Sequence, residues 1–261
     1  MGERLSFFLD DRDYAHYLIS DLDLEAQLIA IRAIIARNST AAAEASRQID
    51  ELAEWARSAK GVESHRTTDF WVDQMHASVF SDAAASMAAL GMIAPLTESI
   101  FSQAFRSLER MYSARDLAPP DHPRWSRVHD GAIDRWYCNI YIDEDGARTD
   151  VAAGIKQLAN ATGLAAFIIR SDFKLINALL AYRNRMFHMG FEWPMQSRIE
   201  FERLIETNGW SSYFTSSRHN EDPWIFYLSD ETIASLPDWL DALILKIGRF
   251  AKSLPRDLLS A

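Results

Sequence analysis

Apolar residues recur at three- and four-residue spacing along most of this chain, and that spacing dictates helices. Leu24, Leu28, Ile31 and Ile35 share one face, and the pattern runs on through Ile49, Leu52 and Ala56 toward Gly61. It predicts one long helix, with a candidate break near Asn38-Ser39 and a capping box of Ser20 with Asp23 at its start. A second long helix, capped by Thr68, carries Val72, Met75, Val79, Met87, Leu90, Ile100, Phe105 and Leu108, with Gly91 and Pro95 as kink positions. Asp150 is placed to cap a helix through Val151, Ile155 and Leu158. Ser171 is placed to cap the next, which carries Leu175, Ile176, Leu179, Leu180, Tyr182, Met186 and Phe187 and stops at Gly190. Pro194 opens another helix that Asn208-Gly209 closes, and a last amphipathic helix carries Ile233, Leu236, Leu240, Leu243, Ile247, Phe250 and Leu254.

Strand signals are few. The alternation in YCNIYI ahead of Asp145-Gly146 reads as a strand and turn, and DPWIFYLS as a short extended piece. The sum is an all-α fold, a helical bundle of four to six helices in a single domain over 1–261. An irregular insertion spans about 114–150, starting at the break LAPPDHPRW.

Composition narrows the function classes. A lone cysteine, Cys138, forbids an internal disulfide framework and a cysteine-based zinc site, which fits a cytoplasmic setting. The N-terminal MGERLSFFLDDRD has no long apolar core and meets acid early, so it is not read as a signal peptide. The longest low-charge run, AAASMAALGMIAPL, is too short to span a bilayer. The net charge of -10 opposes non-specific coating of nucleic acid. Between Arg170 and Arg203, however, six basic residues face four acidic ones. A local anion site is compatible with that balance.

The common phosphate and nucleophile motifs, G-x-G-x-x-G, Walker A, G-x-S-x-G and H-E-x-x-H, do not occur. Asp69, Asp73 and His76 share a helical face and can be weighed as ligands for a divalent cation, although a solvated polar face explains the same spacing. His122 and His129 fall in the insertion as surface histidines. Trp193, Trp210, Trp224 and Trp239 crowd the C-terminal third, where closing a core explains them better than stacking bases.

The stretch AYRNRMFHMGFEWP, Ala181 to Pro194, is the anomaly. A helix end that belongs in the core carries Arg183, Asn184, Arg185 and His188. Arg183 falls on or beside the apolar face, where a guanidinium needs a partner or a ligand. His188, five residues on, stands about 140° around an unbroken helix and converges with Arg183 only if the helix frays before Gly190. Arginine grips a phosphodiester bidentately, histidine moves protons near neutrality, and Asn184 can donate to a phosphate oxygen or orient the imidazole. Such a site requires no metal, and RNA supplies its own nucleophile in the 2′-OH. Alternatively, Arg183 pairs with a carboxylate of a neighbouring helix and His188 caps the helix end.

At Arg183-Asn184-Arg185-Met186-Phe187-His188 the sequence resembles the HEPN superfamily, whose helical bundles carry R-x(4–6)-H, often with Asn after the Arg. The stretch RNRMFHMGFEWP with DPWIFYLSD downstream looks like one of the larger uncharacterised HEPN groups. The resemblance implies a metal-independent endoribonuclease that needs no cofactor, in a toxin–antitoxin or anti-phage setting. It also implies a homodimer with RNA as substrate and a protein antitoxin or regulator as partner. In that reading Arg183 stabilises the phosphorane, His188 is general acid and base, and Asn184 supports the site. The alternative is a non-catalytic HEPN-fold binding or dimerisation module.

Overall fold

The computed structural model describes residues 9–127 and 133–259. His129 therefore lies outside the described residues. The fold is all-α: nine helices and two two-stranded sheets occur among the described residues. In chain order they are α1 (Asp11–His16), α2 (Leu24–Ser58), α3 (Val62–Ala114), α4 (Pro123–Ser126), β1 (Ile140–Ile142), β2 (Ala147–Thr149) and α5 (Val151–Thr162). After a 3-10 turn, Leu164–Ala166, come α6 (Arg170–Met189), α7 (Met195–Asn208), β3 (Phe214–His219), β4 (Asp222–Leu228), α8 (Asp230–Ser253) and α9 (Arg256–Leu259).

Several boundaries follow their local chemistry. Asp150 caps α5 by accepting from the Ala153 N–H at 3.0 Å. Gly190 and Gly209 end α6 and α7 with φ of 71° and 64°, a left-handed conformation that glycine adopts without strain. Other boundaries depart from the sequence expectation. α2 runs unbroken through Asn38-Ser39 and begins at Leu24, so Ser20 is not its cap; the Ser20 hydroxyl donates to Asp21 instead. α3 begins at Val62, a turn and a half before Thr68, whose hydroxyl donates back to the Ser64 carbonyl at 2.8 Å. Ser171 lies inside α6. The residue that secures that helix start is Asp172, which accepts from the Ile169 N–H at 3.0 Å.

α3 also revises the expectation about length. The low-charge run is part of one 53-residue helix, and α3 is the one helix among those described with the length and composition to cross a membrane. Its apolar residues Leu90, Ile93, Ile100, Phe101 and Phe105 are fully buried inside the protein, while 39% of its most apolar 18-residue window is buried.

The chain forms two compact units. One comprises the segment ending at Leu24, Pro95–Leu180 and the segment from Asp238; the other comprises Glu25–Ala94 and Ala181–Pro237. The divisions fall at the first residue of α2 and inside α3, α6 and α8, and the two prolines within helices, Pro95 and Pro237, stand at two of them.

In the first unit α1 lies against α8 so closely that a Cβ at Gly248 would come within 1.5 Å of the Asp11 carbonyl oxygen. The 114–150 stretch is held by Arg124, which is fully buried. Its guanidinium donates to the carbonyls of Arg135 (2.6 Å), Ile140 (2.8 Å) and Tyr137 (3.0 Å) and to Gln157 Oε1 (2.5 Å). That network joins the antiparallel β1–β2 hairpin to α5. His122 caps α4 through Nδ1, which accepts from the Arg124 N–H, so it has a structural part beyond that of a surface histidine. Asp172 is buried and accepts from Lys246 Nζ at 2.7 and 2.9 Å and from Trp239 Nε1 at 3.2 Å.

The second unit packs around aromatics. The Phe201 ring lies within 6.4 Å of those of Tyr182, Trp193, Trp210, Phe214 and Phe226. Tyr182 donates its hydroxyl to the Phe226 carbonyl at 2.6 Å, tying α6 to the antiparallel β3–β4 hairpin. Trp193 and Trp210 thus close a core, as their positions led us to expect.

Candidate functional site

The last two turns of α6 sort their side chains by depth. Tyr182 and Met186 are buried, Arg183 and Arg185 half-buried, and Asn184 and His188 exposed. Phe187 is not in the core. It is 51% exposed, and its ring edge lies against Gly91 of α3, where even a Cβ would be only 3.6 Å away.

Arg185 belongs to the aromatic core. Its guanidinium sits 5.0 Å from the centre of the Phe201 ring, and Nη1 donates to the Ala181 carbonyl at 3.2 Å. Burial lowers its pKa from the usual arginine value, because desolvation penalises the charged guanidinium. Arg183 points elsewhere: its Nη1 donates to Asn184 Oδ1 at 3.2 Å.

α6 does not fray. It stays helical through Met189, and the Gly190 N–H closes onto the Met186 carbonyl at 3.0 Å. Five helical steps put His188 about 140° around the axis from Arg183. The convergence that fraying would have allowed is absent within one chain. His188 makes no hydrogen bond and no ring contact among the described residues, so its imidazole is open to solvent.

Just past the end of α6, the chain enters an aromatic patch that the sequence did not announce. Phe191 meets Phe80 at 6.4 Å, and Phe80 meets Trp224 edge-on at 5.5 Å. Trp224 is flanked by His76 at 5.6 Å and His219 at 6.4 Å, and its Nε1 donates to Glu192 at 2.5 Å. The signal for this patch was present only as scattered aromatic and histidine positions on α3, β3 and β4.

Asp69, Asp73 and His76 are all exposed, and His76 turns to Trp224. Among the described residues, no three His, Cys, Asp or Glu side chains gather as a metal-holding group. Cys138 is buried, and burial pushes its thiol up to about 11. The chain matches no protein-family model, no curated protein and no solved structure.

Proposed function

We propose that the C-terminal end of α6 is the centre of a HEPN-type, metal-independent endoribonuclease acting as a homodimer. The observation that carries this reading is the arrangement of the motif: Arg183 is steadied by Asn184, and His188 is solvent-open in the final turn of the same helix. Because one chain holds Arg183 and His188 on different sides of the helix, a second copy supplies the complement. Arg183 of one protomer then faces His188 of its partner across the scissile phosphate.

The chemistry is an internal transesterification. A neutral His188 imidazole takes the proton of the ribose 2′-OH. The 2′ oxygen attacks phosphorus, and Arg183 neutralises the charge building on the non-bridging oxygens. The P–O5′ bond breaks, and the same imidazole, now protonated, hands that proton to the departing 5′ oxygen. No oxidant, metal or external nucleophile enters.

A second reading is a non-catalytic HEPN-fold module, and the regularity of α6 favours it, since each chain alone keeps the two residues apart. The ends of the products separate the two. Incubation with labelled single-stranded RNA should yield 2′,3′-cyclic phosphate ends, and a 2′-deoxy substitution at the cleaved position should block that cut. Intact RNA leaves the module reading in place, and products with 3′-hydroxyl ends contradict attack by the 2′-OH.

A further inference from the structure

We propose that α2, α3 and the start of α8 form a docking groove for a basic amphipathic helix from a partner protein. The groove lies wholly within the second unit and does not depend on the ribonuclease reading. Its volume is about 1030 Å³. On the α2 wall, Ile35, Asn38, Ala42, Ala45, Ile49 and Leu52 line it, at the alternating three- and four-residue spacing of a helix that packs along another helix. Phe70, Gln74, Ala77 and Ser81 line it from α3 at the same spacing. Both seams are written for a neighbour. Yet every residue of α2 from Ser39 to Gln48 is exposed, and Phe70 is 47% exposed. A helix in a protein takes most of its stability from packing of its apolar face.

The size and charge of the groove select the occupant. The α2 wall from Ile35 to Leu52 extends about 25 Å at 1.5 Å per residue, the length of a helix of about 17 residues. The alanines and serines on both walls leave room for large side chains brought in from outside. All four charged residues that line the groove are acidic: Glu51, Asp82, Asp230 and Glu231. Burial and the neighbouring charge of Asp230 push the Asp82 carboxyl up, and a cation placed beside the pair offsets their repulsion. The chain's own charge of -10 opposes a second copy entering such a groove. An arriving helix with leucines on one face and lysines beside them satisfies both the seam and the acids.

The test uses a fluorescent peptide of about 17 residues, leucine at the two core positions of each heptad and lysine elsewhere, titrated against the full chain by anisotropy. The expected result is saturable one-to-one binding that weakens steeply with salt, and at least tenfold weaker binding of a glutamate counterpart. Ala42→Trp fills the groove from an exposed position and should weaken binding at least tenfold while leaving the melting temperature unchanged. Asp82→Asn with Asp230→Asn should weaken it several-fold and flatten the salt dependence. Three results overturn the proposal: no preference for the basic peptide, binding indifferent to Ala42→Trp, or a dimer that Ala42→Trp converts to monomer in sedimentation. The last would show a second copy in the groove.

Discussion

Nη1 of Arg183 donates to Oδ1 of Asn184 across 3.2 Å, coupling a half-buried guanidinium to an exposed amide next to it on the helix. The bond uses one edge of the guanidinium. In the proposed site, Asn184 sets its tilt and Arg183 carries the charge.

That division of labour predicts unequal losses. Arg183→Ala should cost about 10²–10³ in cleavage rate, because it removes a donor aimed at developing negative charge. Arg183→Lys should not rescue it, since an ammonium lacks the bidentate fork. Asn184→Ala should cost only about 1 kcal/mol, roughly fivefold in rate, the worth of one ordinary hydrogen bond. Single-turnover kinetics on one RNA reads all three, and equal losses for Asn184→Ala and Arg183→Ala would refute the supporting role of Asn184.

A site shared across two copies predicts complementation. Arg183→Ala and His188→Ala should each lose most of their activity alone. Mixed and allowed to exchange subunits, they should recover about a quarter of wild-type activity, because about half of the symmetric pairs are mixed and each mixed pair regains one intact site. A mixture no more active than its components would show that a second copy does not complete the site.

Much of the fold was legible because the signals that set it are local. Gly190, Gly209, Pro194 and Asp150 act on their own turns, and the structure places helix ends at each. Thr68 misled because a hydroxyl can cap a helix or fold back onto one, and Ser171 because the carboxylate of Asp172 next to it bonds the Ile169 N–H at that helix start. β3 went unseen since FTSSRH has no apolar alternation; its pairing with β4 makes it a strand. The burial of Arg124 was invisible for a related reason: three of its four partners are carbonyls eleven to sixteen residues away. At the site, residue identities and the helix end could be read. The seating of the Phe187 ring against Gly91 could not, because that contact comes from another helix.

The buried pair of Asp172 and Lys246 should dominate the stability of the first unit. The Asp172 side chain is 5% exposed and that of Lys246 18%, so removing one partner strands a charge with little water around it. Asp172→Ala should destabilise by about 3–5 kcal/mol, read as a fall in melting temperature. A change under about 1 kcal/mol, the typical worth of a surface pair, would contradict the burial.

Two close backbone approaches and one thiol give a further check on that unit. Gly248→Ala should destabilise by about 1–3 kcal/mol or detach α1, since its methyl meets the Asp11 carbonyl, and Gly154→Ala should do likewise against the Cys138 carbonyl at 2.1 Å. Burial raises the Cys138 thiol from 9.0 to about 11. A raised folded pKa contributes stability that is fully present below pH 9 and is lost as pH rises through about 11. Native protein should therefore resist thiol reagents at pH 8 and react on unfolding; rapid labelling of the native state would count against this packing.

The most direct test of the account is the rate of RNA cleavage in excess EDTA by wild-type protein and by His188→Ala, with a melting curve to show that both are folded. The account predicts cleavage of single-stranded RNA by the wild type, with DNA inert, and a loss of about 10²–10⁴ in His188→Ala, the usual worth of a general acid–base. Intact RNA with folded wild-type protein, or equal rates from the two proteins, would contradict it.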